Sequence, residues 1–296
     1  MIRGKKLGDK VFDYTNVVIM ILVIFITLYP FWFALVGSLN IGSDYMTGGV
    51  NFWPRKFTFE NYKVVLANKA IMQSFFVTVS RTVIGTLTSV IFTAMFAYGY
   101  SRKNLMGRNV YAVIAMVTMY FGGGLIPYYF LIKNLHLLNS FWVYIIPGLL
   151  SFWNVLIIQS FFREIPESIM ESARMDGAGE YKIFFRLIIP LSKPVLATIV
   201  LFNGVGHWNS FFDSMLFTNK ESLQTLQLML MKIIRSRDQA SAMTQNSAAP
   251  SLANLKTTSV TIQLATMMVA TVPILILYPF LQKYFVTGLT IGAVKG

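Results

Sequence analysis

EIPESIMESARMDGAGEYKIFFRLIIPLSKP, Glu164–Pro194, is a charged and punctuated stretch between two runs that are each apolar enough to cross a bilayer. It therefore belongs at a membrane surface. Pro166 suits a first helical position, and Ile165, Ile169, Met170 and Ala173 put one apolar stripe on a short helix that breaks at Gly177 and Gly179. From Glu180 onward Ile183, Phe184, Leu187 and Ile188 again share a face, and Pro190 and Pro194 are expected to end this second helix. A surface helix, turn and helix between two spans makes the chain an all-α, polytopic membrane protein.

Composition agrees. With 55% hydrophobic and 12% charged residues and a mean hydropathy of +0.59, the 296 residues read as one membrane domain. A formal net charge of +13 suits loops that touch anionic lipid or face an anionic solute, since no nucleic-acid module is present in the sequence. The chain has no cysteine, which excludes disulfides and thiolate metal sites, and its two histidines are too isolated for a clustered ligand set.

Taken outward from the loop, six spans are expected, at about 15–39, 74–100, 110–132, 141–162, 195–217 and 259–281. Residues 1–14, with Arg3, Lys5, Lys6 and Lys10, form a cytoplasmic tail, and Ile41–Ile71 lies on the far side. Arg102, Lys103 and Arg108 make a basic inner loop. Gly122–Gly124 and Pro127 are predicted to break span three. Residues 164–194 return to the cytoplasm and residues 218–258 form an external loop, with a surface helix expected over Ser222–Arg235 and an irregular, polar stretch over Arg237–Lys256. Charge counting supports this orientation weakly, with about fourteen Lys and Arg inside and about ten outside.

Span five is the most polar. Asn203, His207, Ser210 and Ser214 fall on one helical face with Trp208, Asn209 and Asp213 beside it, a grouping that belongs toward water or partners. Arg81 lies about 10 Å into span two, where it snorkels outward, pairs with Asp213, or meets a carboxylate on a passing solute. These residues are the candidate substrate path, Trp208 offering a ring face on which a solute could stack.

Glu171-Ser172-Ala173, Gly177 and Leu187-Ile188-Ile189-Pro190 resemble the EAA loop of binding-protein-dependent ABC importers, and Asp176-Gly177-Ala178 is similar to the variant of sugar permeases. Phe59-Glu60-Asn61-Tyr62 resembles an element on their outer side, and the tail Tyr284–Gly288 and Gly292–Gly296 resembles the maltose-permease type of subunit. Gly122–Tyr129 is similar to the branch handling oligosaccharides of acidic polymers such as pectin, aldouronate or alginate. The resemblance implies that Glu171, Ser172, Ala173, Asp176, Gly177, Leu187 and Pro190 couple the chain to a cytoplasmic ATPase. It also implies a homologous second permease, two ATPase copies, an external solute-binding protein and a bacterial cell-membrane location with both termini cytoplasmic.

No Walker A pattern occurs, so ATP and Mg are expected on the ATPase subunits, with no cofactor and no catalytic residue in this chain. An ion-coupled secondary transporter is the alternative, disfavoured because Asp213 is essentially the sole carboxylate within the spans. A membrane enzyme acting on lipid-linked sugar would need an acid cluster beyond Glu164, Glu167, Glu171 and Asp176.

Overall fold

Apolar runs of bilayer length have no water to bond their peptide groups, so internal helical pairing satisfies them. A computed structural model describes residues 7–102, 104–244 and 256–293; among these there is no strand, only an isolated bridge between Asn40 and Phe57. The helices are α1 (Leu7–Ser38), α2 (Gly42–Met46), α3 (Glu60–Ala67), α4 (Lys69–Ser101), α5 (Arg108–Tyr120), α6 (Leu125–Asn134), α7 (Phe152–Glu164), α8 (Glu167–Met175), α9 (Glu180–Ile183), α10 (Ile189–Leu191), α11 (Lys193–Asn209), α12 (Phe212–Phe217), α13 (Leu226–Thr244) and α14 (Ser259–Ala293). Lys10–Ser38, Lys69–Ser101 and Ser259–Leu277 are single candidate spans, and three bent pairs complete up to six. The pairs are α5 with α6 (115°), Phe141–Gly148 with α7 (49°), and Glu180–Leu191 with α11 (83°).

The described residues fall into two compact units, one from those within 1–68 and 232–271, the other from those within 69–231 and 272–296. In the first, α1 exposes apolar side chains on every face from Val11 to Phe31, as a lipid-facing helix must. Its end is held by Asn61, fully buried, whose Nδ2 donates to the carbonyls of Ser38 (2.8 Å) and Asn40 (2.9 Å). Asn61 Oδ1 accepts from Thr261 Oγ1 at 2.7 Å, and Tyr62 shares a hydrogen bond with Ser38 Oγ. In the same unit Asp44 bonds Asn40 Nδ2 (2.9 Å) and Arg55 Nε (3.1 Å).

The second unit has two apolar clusters. Val90, Ala94 and Ala97 of α4 meet Val155, Ile158 and Phe162 of α7, Ile183, Phe184 and Ile188 of the loop, and Ile199 of α11. A smaller cluster joins Ile132, Val143, Tyr144 and Phe217.

Several expected boundaries are corrected. Span four is not one helix over 141–162: Phe141–Tyr144 and Ile146–Gly148 are 3-10 turns, Pro147 lacks an amide proton, and α7 starts only after Ser151, whose Oγ accepts from Asn154 N. The carbonyls freed there are bonded by Ser89 Oγ (to Gly148, 3.1 Å) and Thr93 Oγ1 (to Leu149, 3.3 Å). Span five breaks at Ser210, whose carbonyl accepts from Arg81 and Thr225 side chains and whose Oγ donates to Asp213. Span six does not stop at 281; α14 runs to Ala293 with Pro273 and Pro279 inside it. The second loop helix passes Pro190 and is capped at Ser192, and Pro194 opens α11. Phe184–Ile188 is a π turn, the widened winding that makes room for the Pro190 ring against the preceding turn. The surface helix expected over Ser222–Arg235 is α13, which begins at Leu226 and reaches Thr244, well into the stretch read as irregular; residues 245–255 lie outside those described. Helix α1 begins at Leu7, inside the expected tail.

Candidate coupling segment and intramembrane cavity

The stretch that organised the sequence folds as a hairpin. Helix α8 buries Met170, with Ile165, Ala173, Ala178 and Leu187 packed on the α4–α7–α11 cluster, while Glu171, Ser172, Asp176 and Pro190 are exposed. The turn depends on Gly177 at φ +79, a left-handed conformation that opposes a side chain. It lets Gly177 N reach Arg174 O (3.0 Å) and Ala178 N reach Ala173 O (2.9 Å), closing the end of α8.

Four residues to which the sequence reading gave no part in this hairpin hold it. Glu180 accepts from Tyr98 Oη (2.7 Å), Arg102 Nη2 (2.7 Å) and Arg174 Nε (2.9 Å). Arg102 also bonds the Tyr98 hydroxyl and lies 4.3 Å from the centre of its ring. The Tyr98 hydrogen bond, then those of the arginines, hold the Glu180 carboxyl below the usual carboxylate range against the opposing pull of burial. The available signal was spacing: Tyr98 and Arg102 stand one helical turn apart at the end of a span.

The polar residues of α11 and α12 meet α4 at a cavity of about 420 Å³ lined by Arg81, Asn203, His207, Ser210 and Asp213, with Tyr128, Tyr144, Phe202 and Phe212 among its walls. Arg81 is 1% exposed and does not snorkel. Its Nη1 donates to Asp213 Oδ1 (3.0 Å) and Ser210 O (3.3 Å), and its Nη2 to Asp213 Oδ2 (2.5 Å). This is a two-pronged pair of the strong kind. Tyr144, another residue not foreseen, lies under the guanidinium at 4.4 Å and donates its hydroxyl to Leu223 O (2.6 Å). Arg81 Nε has no hydrogen-bond partner among the described residues.

Asn203 bridges Asn154 and Ser89 across three helices, and the His207 ring lies directly on Gly85, where an added Cβ would come within 2.6 Å of it. Two expected path residues are elsewhere. Trp208 is buried edge-on to Phe75 and faces a separate apolar groove with Thr82 and Gly204, so it offers no stacking face to the cavity. Asn209 is exposed outside the cavity because it ends α11 just before the break. Among the described residues no group of His and acids is placed to hold a metal ion.

The family model described as binding-protein-dependent transport system inner membrane component matches residues 105–291. The chain belongs to this family. It is 36% identical to Protein LplC of Bacillus subtilis (strain 168), over 98% of this chain and 96% of that one. It is 33% identical to the polygalacturonan/rhamnogalacturonan transport system permease protein YtcP of the same organism, over 97% and 99%. Among solved structures, a chain of a bacterial ABC transporter involved in the import of the acidic polysaccharide alginate superposes with a TM-score of 0.86 at 31% identity, covering 95% of this chain and 99% of that one. The molecule is therefore a multi-pass ABC permease, and the ion-coupled alternative is set aside.

Proposed function

We propose that this permease is one of two homologous subunits in an ATP-driven importer that passes oligosaccharides, including uronate-bearing ones, delivered by an external solute-binding protein. Two copies of a cytoplasmic ATPase bind ATP and Mg and engage residues 164–194, which places both termini on the ATPase side and residues 218–258 outside. The observation that carries the reading is the hairpin: its apolar stripe is sunk in the core, while Glu171, Ser172, Asp176 and Gly177 stand exposed as a docking face. Ala173 and Leu187 shape that face from behind, and Pro190 is exposed beside it.

Arg81, Asn203, His207 and Asp213 form the path, and Trp208 and Asn209 are packing and rim residues. Because Asp213 balances Arg81, a passing uronate meets a polar wall without a free opposite charge deep enough to trap it, as conduction requires. The acidic class is supported by the names of YtcP and the alginate transporter.

The test is ATP-dependent uptake by proteoliposomes holding the complete complex, offered oligogalacturonides, alginate oligosaccharides and neutral arabino-oligosaccharides. Uptake of the first two and its loss in Glu171→Lys and in Gly177→Val, which strains the turn by about 1–3 kcal/mol, are expected. Wild-type uptake in both variants would sink the docking reading, and uptake confined to the neutral sugars would sink the acidic one.

A further inference from the structure

We infer that Glu180 is a positioning residue that locks the coupling hairpin to α4, making α4 the rod through which hairpin movement reaches the Arg81 cavity. The inference rests on the proposed docking of the hairpin to an ATPase. Glu180 is the meeting point of three elements: Arg174 arrives from α8, Tyr98 from α4 with Arg102 just past its end, and Glu180 itself begins α9. One carboxylate thus fixes both the closure of the hairpin about Gly177 and its angle to α4.

Stability does not explain this convergence. The Glu180 side chain is 54% exposed and that of Arg174 40%, and ion pairs so open to solvent add little to folding. Geometry explains it better. The Tyr98 ring is wedged between Phe184 of the hairpin (5.3 Å) and Phe162 of α7 (6.4 Å), so a displacement of the hairpin bears directly on the end of α4.

Helix α4 is built to carry that displacement onward. It runs unbroken from Lys69 to Ser101 without proline, whereas each bent pair of the second unit has a joint of 49° to 115° that can absorb movement. Tyr98 and Arg81 lie about 26 Å apart along it at 1.5 Å per residue. Within it, twelve residues from the Lys69 end, Arg81 grips Asp213 and the Ser210 carbonyl at the break between α11 and α12, so a shift of α4 reshapes the cavity wall there.

The chain has no cysteine, so two introduced ones are unique. Spin labels at Phe76 of α4 and Leu131 of α6, both exposed, report the movement by pulsed electron spin resonance. The sample is the full complex with cysteine-free partners in nanodiscs, with and without ATP plus vanadate. The wild type is expected to shift by about 2 Å or more. Glu180→Gln should lose at least half of that shift, and Glu180→Asp, which keeps an acceptor carboxylate for Tyr98, Arg102 and Arg174, should retain most of it, which a merely structural role would not do. A wild type that does not shift, a full shift in Glu180→Gln, failure of that variant to assemble, or a loss in Glu180→Asp as large as in Glu180→Gln each overturns the inference. Glu171→Lys in the same assay separates the two claims: a full shift there refutes docking of the hairpin, while a full shift in the Glu180 variant alone refutes the lock.

Discussion

Breaking the Arg81–Asp213 pair should be asymmetric, and the surroundings of each partner say by how much. After Arg81→Gln the Asp213 carboxylate keeps two donors, Ser210 Oγ at 2.9 Å and Ser214 N at 2.8 Å, so the loss is that of charged hydrogen bonds, about 2 kcal/mol. After Asp213→Asn the guanidinium, 1% exposed, retains the Ser210 carbonyl at 3.3 Å and the Tyr144 ring, with Nε already unpartnered. A buried cation so stranded costs about 3–5 kcal/mol. The double variant replaces both charges by amides that bond each other and should lie about 1–2 kcal/mol below wild type, above either expectation from summing. Thermal unfolding of the purified complex is the assay. At about 2–4 °C per kcal/mol for a chain of this size class, Arg81→Gln should lower the midpoint by about 4–8 °C and Asp213→Asn by about 6–20 °C. Shifts under about 2 °C in both single variants, or a double variant equal to their sum, would refute the account of the pair as a buried, mutually dependent unit.

Gly85→Ala places a Cβ 2.6 Å from the His207 ring, which must swing into the cavity; uptake should fall while Gly85→Ala with His207→Ala recovers assembly, and unchanged uptake in the single variant would contradict the close contact. Asn61→Ala strands the Ser38 and Asn40 carbonyls in a fully buried place, while the Thr261 hydroxyl keeps Thr258, so stability should fall by on the order of 2–4 kcal/mol, read as a lower unfolding midpoint, and limited proteolysis should cut between α1 and α3 sooner. The Asp44 carboxyl is held below its ordinary 3.8 by the Asn40 hydrogen bond and by Arg55. A depressed value stabilises above the unfolded pKa and is lost as pH falls through the folded one. Protection of the amides in residues 44–55, taken relative to intrinsic exchange at each pH, should therefore fall only below about pH 4, and a fall in protection between pH 5 and 8 would exclude this carboxylate as the cause.

Much of the fold was readable because bilayer length and apolar composition leave few alternatives, and the hairpin because Gly177 can do what other residues resist. The joints were less readable. Pro147 and the Gly122–Gly124 run are marked in the sequence, but the break at Ser210 exists because side chains from Arg81 and Thr225, remote in sequence, take its carbonyl. Helical periodicity put Trp208 beside Asn203 and His207, yet the aromatic ring packs on Phe75 and leaves the cavity to smaller polar groups. Glu180 escaped notice for a related reason: a carboxylate at the start of a short helix is unremarkable until Tyr98 and Arg102, far upstream, are brought to it.

The bend of 115° between α5 and α6 bears on how such a subunit survives its own synthesis. Gly122, Gly123 and Gly124 are exposed, and added Cβ atoms at Gly122 and Gly124 would meet nothing within 4 Å. Peptide groups left open in hydrocarbon cost several kcal/mol apiece, and lipid supplies no donor to relieve them. In the proposed importer, a newly inserted copy without its companions would leave this bend, set within span three, to be closed by another protein surface or a watered interior. On the proposed assembly, production in step with the partner subunits then becomes a physical requirement, and surplus copies are the ones that membrane quality control has reason to clear.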